Sequence, residues 1–131
     1  MKGIGIDLVE IARIGKAIQR RGPVFLERLF TPLELERGKN HRGKRQLEFW
    51  AGRFAGKEAV AKALAVGFGS KLSWQDIEIL ANSQGAPQVK LSGSAQKLAE
   101  DSGIDQILIS LTHTQDHAMA IAMALEKREE Y

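Results

Sequence analysis

The sequence predicts an α+β fold in which a small antiparallel sheet packs against one long helix. Alternating apolar residues near both ends of the 131-residue chain are typical of half-buried strands. Between them, residues 46–66 form the longest helical pattern of the chain. A chain of this length matches one domain, so we assign residues 1–131 to a single domain.

The first third of the chain predicts one strand and two helices. Residues 2–9 alternate between two faces, one with Ile4, Ile6 and Leu8 and the other with Gly3, Gly5, Asp7 and Val9. Residues 10–21 place apolar side chains at helical spacings, and Gly22-Pro23 ends that helix. A second helix begins after Thr31, with Pro32 in its first position and Glu34 three residues after the cap. It runs to about residue 40, and the basic stretch that follows is predicted to be a loop.

After the long helix, the rest of the chain predicts four strands and one helix around short turns. The long helix ends at Gly67-Phe68-Gly69, and short strands at 76–80 and 88–91 are joined by a turn at 82–85. A helix at 93–102 precedes a strand at 104–112. Residues 117–125 have helix-favouring composition but alternate strictly, and we predict a strand that closes a hairpin through residues 114–116.

Composition excludes several classes of protein. With 44% hydrophobic and 27% charged residues, the chain is typical of soluble globular proteins. There is no cysteine, which excludes disulfides, thiolate zinc sites and cysteine nucleophiles. No apolar run is long enough for a membrane span, and Asp7 interrupts the only apolar stretch near the start. We therefore expect a soluble, cytoplasmic protein with no membrane partner.

Charge is distributed unevenly along the chain. Residues 1–62 hold fourteen Lys and Arg against seven Asp and Glu, whereas residues 63–131 hold five against nine. Basic clustering of this kind indicates either a solvated basic face or an anionic partner, such as a nucleic acid, a phosphorylated cofactor or an acidic protein.

Two carboxylates do not fit a purely structural interpretation. On a helical wheel, Glu58 lies in the middle of an apolar sector of the long helix, and Lys62 lies near its edge. Glu58 therefore either pairs with Lys62 or belongs to a functional site. Asp7 lies in mid-strand beside two glycines that leave room for a bulky group; it either caps the following helix or binds a ligand. Carboxylates on rigid elements, with space for phosphate, are what Mg²⁺ requires.

Two further features allow a structural or a functional interpretation. His113, after Ser110 and Thr112, stands where a strand enters a turn and either is structural or reaches a ligand. The segment Gly67-Phe68-Gly69-Ser70 either only stops the long helix or wraps a phosphate with backbone N–H groups.

Three segments in order resemble one family, the 4′-phosphopantetheinyl transferases. Residues 5–13 (GIDLVEIAR) are similar to the family's G-x-D-x-x-x-I-x-R, and residues 53–63 (RFAGKEAVAKA) to its F-x-x-K-E-A-x-x-K-A. Residues 110–113 (SLTH) are similar to S-x-[TS]-H, and Gly85-Ala86-Pro87 also matches in place. The resemblance extends over the whole chain, and the chain has the length of the small bacterial members of the family.

The resemblance implies a fold, a metal and an assembly. It implies the 4′-phosphopantetheinyl transferase fold, with a strand after His117. It implies that Asp7 and Glu58 meet and share Mg²⁺. It also implies a homotrimer with active sites at subunit interfaces, which would bury the alanine face and other apolar surface.

The implied reaction moves 4′-phosphopantetheine from coenzyme A to a serine of apo acyl carrier protein and releases adenosine 3′,5′-bisphosphate. The resemblance makes Glu58, or a metal-bound water that it orients, the acceptor of the serine proton, and it makes Lys62 the group that neutralises or protonates the departing phosphate. Coenzyme A would be held by Arg53, Lys62, Gly67, Pro87 and His113, with Pro87 and His113 supplied by a neighbouring subunit. The acidic carrier protein would dock on Arg13, Arg21, Phe25 and Arg28.

Two rival functions and two departures from the family pattern remain. A nucleic-acid-binding module would use the basic half, but with 6% aromatic residues the chain has few stacking platforms, and we expect no nucleic-acid partner. An inactive trimeric scaffold is disfavoured because Asp7, Glu58 and Lys62 are all present. Family members often have Gly where this chain has Ala65, so the segment after the long helix is expected to open differently. They commonly have Ala where this chain has Gly56, and Gly costs up to about 1 kcal/mol in a helix interior.

Overall fold

The computed structural model describes residues 1–69 and 72–127. Within these ranges the chain forms five strands, five α-helices and one short 3₁₀ helix at Trp74–Asp76. The strands are β1 (Gly3–Glu10), β2 (Ile77–Ala81), β3 (Pro87–Leu91), β4 (Ile104–His113) and β5 (His117–Glu126). The helices are α1 (Ile11–Arg21), α2 (Pro23–Leu29), α3 (Pro32–Lys39), α4 (Gly43–Ala63) and α5 (Gly93–Asp101). The predicted α+β class with a small antiparallel sheet and a long helix is confirmed.

The strands form two antiparallel sheets. The larger sheet has the order β1-β5-β4, and β2 and β3 form a separate two-stranded sheet. The alternating segment after His117 is the central strand, so its predicted strand and its hairpin from β4 are confirmed. The helical propensity of this segment is overridden because β5 pairs with β1 over residues 117–124 and with β4 over residues 118–126.

The larger sheet packs on α4 through its smallest residues. The β5 alanines at 118, 120, 122 and 124 are at most 1% exposed. On β1, a Cβ at Gly3 or Gly5 would overlap the backbone carbonyl oxygen of Ala63 or Ala59. The predicted close approach of a backbone to the small-residue side of α4 is therefore confirmed, but the room beside Asp7 is filled by this helix. The alanine face of β5 is accordingly buried within the subunit and is not left for a subunit interface.

The opposite face of the same sheet is apolar and open. Ile4, Ile6 and Leu8 of β1 are 55–62% exposed, and Met119 and Ile121 of β5 are each 38% exposed. Side chains alternate across a strand, so burying Gly3 and Gly5 against α4 necessarily turns the three larger β1 residues outward. This sheet face contrasts with the usual placement of large apolar side chains inside a protein.

The helices differ from the prediction in three places. Helix α2 was not predicted, because a single helix of seven residues has too little periodicity to detect. Helix α4 begins at Gly43, so part of the basic stretch predicted to be a loop is helical. It ends at Ala63 rather than at 66, through a Schellman motif in which Ala65 has a φ of 59°.

Helix α3 begins as predicted. The Thr31 hydroxyl accepts a hydrogen bond from the Glu34 N–H at 3.2 Å, and the Thr31 N–H donates to the Glu34 carboxylate at 2.9 Å. These reciprocal bonds form a capping box. Across the described residues, none of the helices combines the length and the apolar character needed to span a membrane.

Candidate active site

A cleft of about 620 Å³ opens between β1, α1, α2 and α4. Its walls combine acidic, basic and aromatic side chains in one concave surface, the type of place where small-molecule sites usually occur. The polar and aromatic lining residues are Asp7, Glu58, Arg13, Arg21, Arg28, Lys62, Phe25, Phe54 and Trp74. Seven of these nine were singled out from the sequence, and the two exceptions are Phe54 and Trp74.

Asp7 and Glu58 reach the cleft from two elements that are packed tightly together. Asp7 lies on β1 and Glu58 on α4, at the place where Gly5 allows the helix to touch the strand. The pKa of Glu58 is raised, first because the carboxyl is partly buried and second because of the negative charge of Asp7; the Lys62 ammonium opposes this shift. The two carboxylates are therefore close enough to repel each other.

Lys62 contacts Asp7 rather than Glu58. Its ammonium donates to the Ile6 carbonyl oxygen at 2.9 Å and to Asp7 Oδ1 at 3.3 Å. Within the described residues, no ion pair joins Glu58 to Lys62, so the structural interpretation of these two residues as a simple helical pair is wrong. The capping role considered for Asp7 is also absent, because the N-cap of α1 is Glu10 and has no side-chain cap.

The pair of carboxylates fits the requirements of Mg²⁺. Repulsion between two neighbouring carboxylates is relieved when a cation joins them. Mg²⁺ commonly takes one or two protein carboxylates and fills its remaining positions with water and phosphate oxygens. In residues 1–69 and 72–127 no cluster of three or more His, Asp and Glu side chains could hold a metal ion. A site here would thus depend on Asp7, Glu58 and non-protein oxygens.

Three arginines and a phenylalanine form the rim on the side of α1 and α2. Arg13, Arg21 and Arg28 are exposed, whereas Phe25 is 9% exposed. The Arg21 guanidinium carbon lies 5.5 Å from the centre of the Phe25 ring. The rim is therefore a basic surface with an aromatic floor, suited to an anionic partner.

Arg53 points away from this cleft. Its guanidinium carbon lies 4.2 Å from the centre of the Phe49 ring, and its Nε is buried with no hydrogen-bond partner among the described residues. Burial lowers the pKa of Arg53, and the negative charge of Glu34 works against that shift. This buried Nε is an exception to the usual pairing of buried polar atoms in folded proteins.

Gly67, Pro87 and His113 also lie outside the cleft. His113, at the end of β4, has its Nε2 3.4 Å from Glu48 Oε2 and its side chain is 55% exposed. Pro87 begins β3 and lines a second groove, of about 720 Å³, between β3, α5 and β4. Gly67 is exposed in the segment after α4, and Ser70 of the same segment lies outside the described residues. One subunit thus does not bring these residues to Asp7 and Glu58.

Sequence reasoning missed a buried ion pair next to the site. Lys57 Nζ lies 2.7 Å from Glu34 Oε1, and both side chains are 0% exposed. Burial lowers the pKa of Lys57, while the charge and hydrogen bond of Glu34 counteract the shift. No local signal joins residues on α3 and α4, and Glu34 had already been explained by its capping box. Trp74 was missed because it precedes a predicted strand without any helical or strand pattern of its own.

Comparisons with known proteins agree with this architecture. A family model described as the 4′-phosphopantetheinyl transferase superfamily matches residues 3–122. Holo-[acyl-carrier-protein] synthase of Alkaliphilus metalliredigens is 46% identical over 95% of this chain and 98% of its own. The relative of the same name from Desulforudis audaxviator is 46% identical over 97% of this chain and 95% of its own.

Solved structures agree as well. The holo-[acyl-carrier-protein] synthase of Neisseria meningitidis has a TM-score of 0.88 at 30% identity, covering 96% of this chain and 99% of that one. The Helicobacter pylori enzyme in complex with coenzyme A has a TM-score of 0.81 at 37% identity, covering 93% and 99%. The chain therefore belongs to the 4′-phosphopantetheinyl transferase superfamily and is an enzyme of that class. Within the superfamily, these full-length relatives are all holo-[acyl-carrier-protein] synthases.

Proposed function

We propose that this protein transfers 4′-phosphopantetheine from coenzyme A to a serine hydroxyl of apo acyl carrier protein. The serine oxygen forms a bond to the phosphorus that carries pantetheine, and the bond from that phosphorus to the bridging oxygen breaks. The products are holo acyl carrier protein and adenosine 3′,5′-bisphosphate. The proposal depends most on one observation, the cleft that combines Asp7, Glu58 and Lys62 with a basic rim, and relatives with coenzyme A in their structures support it.

The side chains of the cleft divide the chemistry among them. Glu58, or a water that it orients, accepts the serine proton; in the metal-free protein, partial burial raises the pKa of Glu58. Lys62 places a positive charge at the cleft, 3.3 Å from Asp7, where it neutralises the departing phosphate. Because phosphoryl transfer needs little covalent assistance, positioning and charge neutralisation supply most of the catalysis.

We also propose that Asp7 and Glu58 hold Mg²⁺ during the reaction. When bound, Mg²⁺ would supply positive charge to the pyrophosphate oxygens. Asp7 contributes a carboxylate that is already oriented by its bond to Lys62. Glu58 contributes a carboxylate on a helix that the β1 glycines hold against the strand.

The basic rim is the proposed docking surface for the acidic carrier protein. Arg13, Arg21 and Arg28 are exposed around Phe25, so they attract an anionic partner over a distance and leave an apolar contact at the centre. An incoming serine would reach the cleft beside Glu58, since the same concave surface includes both.

A homotrimer is the proposed assembly, and the open apolar sheet face supports it. Exposed Ile6, Leu8 and Ile121 lie on one side of the β1-β5-β4 sheet, and such a surface marks an interface. Assembly would also let Pro87 and His113 serve the cleft of a neighbouring subunit. Sedimentation analysis of Ile121→Lys tests this: we expect monomers, whereas the control Leu33→Lys, on exposed α3, stays trimeric.

The decisive experiment is the intact mass of apo acyl carrier protein after incubation with this protein and coenzyme A, with Mg²⁺ or with a chelator. We expect a gain of one phosphopantetheinyl group with Mg²⁺ and none with the chelator. No gain under either condition would refute the proposed transfer. A gain that persists with the chelator would refute only the metal requirement.

A further inference from the structure

The buried Glu34–Lys57 pair is fully bonded. Besides the 2.7 Å contact with Glu34, the Lys57 ammonium donates to the backbone carbonyl oxygen of Trp74 at 3.0 Å and to that of Ile77. Three acceptors satisfy all three of its N–H donors. Lys57 on α4 is therefore bonded at once to α3, to the 3₁₀ helix and to the start of β2.

The carboxylate of Glu34 is just as constrained. Its Oε1 also accepts from the Thr31 N–H at 2.9 Å, and its Oε2 accepts from the Ile79 N–H at 2.8 Å. Glu34 thus receives hydrogen bonds from its own helix cap and from the middle of β2. Every polar atom of the pair has a directional partner, so the pair has one permitted geometry.

Apolar packing alone constrains the rotation of α4 about its own axis only weakly. Seven of its eleven buried residues are alanine or glycine. Between Trp50 and Val60, Lys57 is the only buried residue with a side chain larger than alanine. Small side chains interlock poorly, and a rotation that exchanges one alanine for another costs little contact. Over this stretch, which includes Glu58, the directional bonds of Lys57 add a constraint on rotation to the close backbone contact between Ala59 and Gly5.

We propose that the Glu34–Lys57 pair is a positioning device that sets the rotation of α4 and thereby aims Glu58 into the cleft. The proposal rests on the proposed function of that cleft. Each residue along a helix turns by about 100°, so fixing Lys57 also fixes the direction of its neighbour Glu58. The same ammonium holds the backbone of Trp74, whose side chain also lines the cleft.

This role predicts a separation between stability and activity. Replacing a buried ion pair by uncharged residues of similar shape often leaves stability unchanged, whereas removing one partner leaves a buried charge and is strongly destabilising. A displacement of about 1 Å at a reacting group can lower a rate by about 100-fold. Replacing both residues of a positioning pair should therefore lower kcat and have little effect on substrate binding.

The test compares Glu34→Gln/Lys57→Met with the parent and with Leu98→Ala. Gln retains the shape of Glu34 and an acceptor oxygen for the cap, and Met retains the length of Lys57. Leu98 is partly buried on α5 and lines neither the cleft nor the pair, so Leu98→Ala is the control for general destabilisation. Glu34→Asp alone is a milder variant, because it keeps both charges of the pair and displaces only the carboxylate that Lys57 contacts.

In the transfer assay, the double variant should lose at least about 30-fold in kcat, while the KM values for coenzyme A and carrier protein change less than about threefold. Glu34→Asp alone should lose about fivefold, and Leu98→Ala should keep its kcat within about threefold. An unchanged kcat in the double variant, or an equal loss in Leu98→Ala, would overturn the proposal. Should the double variant fail to fold, the kcat of Glu34→Asp tests the proposal, and an unchanged value would overturn it.

A second readout does not depend on the activity. The chain has no cysteine, so Ala51→Cys on α4, at a position that is 0% exposed, introduces a single thiol. Its rate of maleimide labelling should rise at least about tenfold when the pair is replaced, but not in the Leu98→Ala background. Equal labelling in all backgrounds would overturn the proposal. A parent that labels as expected but transfers nothing would refute the proposed function while leaving the helix-positioning role supported.

Discussion

The ammonium of Lys62 lies 3.3 Å from Oδ1 of Asp7 and joins the long helix to the first strand across the mouth of the cleft. It does not pair with Glu58, four residues earlier on the same helix. Within the described residues Glu58 has no ion-pair partner, although it is half-buried and feels the charge of Asp7. The structure therefore leaves one carboxylate of the cleft available to bind a cation or to accept a proton.

Replacing Glu58 by Gln should lower kcat/KM for transfer by at least about 100-fold, because the amide neither accepts the serine proton nor carries charge for a cation. The fold should be retained, since the amide has nearly the same shape. Glu36→Gln, at an exposed position on α3, is the matched control and should keep the parent's activity. A Glu58→Gln variant as active as the parent would remove this residue from the mechanism.

Mg²⁺ should stabilise the protein at neutral pH and not at acidic pH. In the metal-free protein the pKa of Glu58 is raised, so its contribution to stability is present below the unfolded-state pKa and is lost as pH rises through the folded-state pKa. A bound cation restores stability above that range, by about 2.7 kcal/mol at 100 times its Kd. Thermal unfolding with and without Mg²⁺ measures this, and an equal effect in Asp7→Asn would contradict the site.

Reversing charge on the basic rim should weaken carrier-protein binding selectively. We expect Arg13→Glu/Arg28→Glu to raise the KM for apo acyl carrier protein at least about tenfold at low salt, with a smaller effect at high salt. The KM for coenzyme A should stay within about twofold. Lys97→Glu, at an exposed position on α5, reverses one charge away from the rim and is the control for a general effect of charge. A similar loss in the control would indicate a general effect of net charge instead.

Introducing a methyl group at Gly5 should disrupt the packing of α4 on the sheet. A Cβ there would overlap the Ala59 carbonyl oxygen and crowd the Ala63 N–H, which are both backbone atoms. We expect Gly5→Ala to lower the free energy of unfolding by about 3 kcal/mol or more, measured by urea denaturation. Gly52 lies on α4, and a Cβ added there meets nothing within 4 Å, so Gly52→Ala should be neutral or stabilising. If Gly5→Ala and Gly52→Ala change the free energy of unfolding equally, the close approach of the α4 backbone is not what requires glycine at position 5.

Replacing Ala65 by Gly should stabilise the protein slightly. Ala65 has a φ of 59°, and a left-handed conformation costs an L-residue about 1–2 kcal/mol, partly offset by the greater chain entropy that Gly loses. We expect a gain of about 0.5–1 kcal/mol in the free energy of unfolding. The same change at exposed Ala12, in the first turn of α1, should instead cost up to about 1 kcal/mol, and a loss at both positions would contradict the conformation of Ala65.

Local features of the fold could be predicted because their causes are local. The capping box of α3 joins residues three apart, and the β4–β5 hairpin follows from alternation on both sides of a short turn. Helix α2 and the exact end of α4 could not be predicted in the same way. The first is too short to show a period, and the second depends on Ala65 adopting a conformation that sequence patterns assign to glycine.

The candidate site could be predicted only in part. The wheel placed Glu58 in an apolar sector and therefore required a neighbour for its charge, and the family resemblance named Asp7. The actual partner of Lys62 could not be deduced, because any of the carboxylates brought near by folding would satisfy a flexible ammonium group. The Glu34–Lys57 pair joins two helices that have no common pattern, so nothing in the sequence connected them.

The sequence by itself determined the kinds of residues available, the order of most helices and strands, and the superfamily. It could not decide which face of β1 would be buried, since Ile4, Ile6 and Leu8 carry more apolar surface than the glycine face. Tertiary structure decided this, because only glycines let the α4 backbone approach the strand closely enough to bring Asp7 beside Glu58. Steric fit between two backbones, a property of elements distant in sequence, outweighed the burial of larger side chains within the subunit.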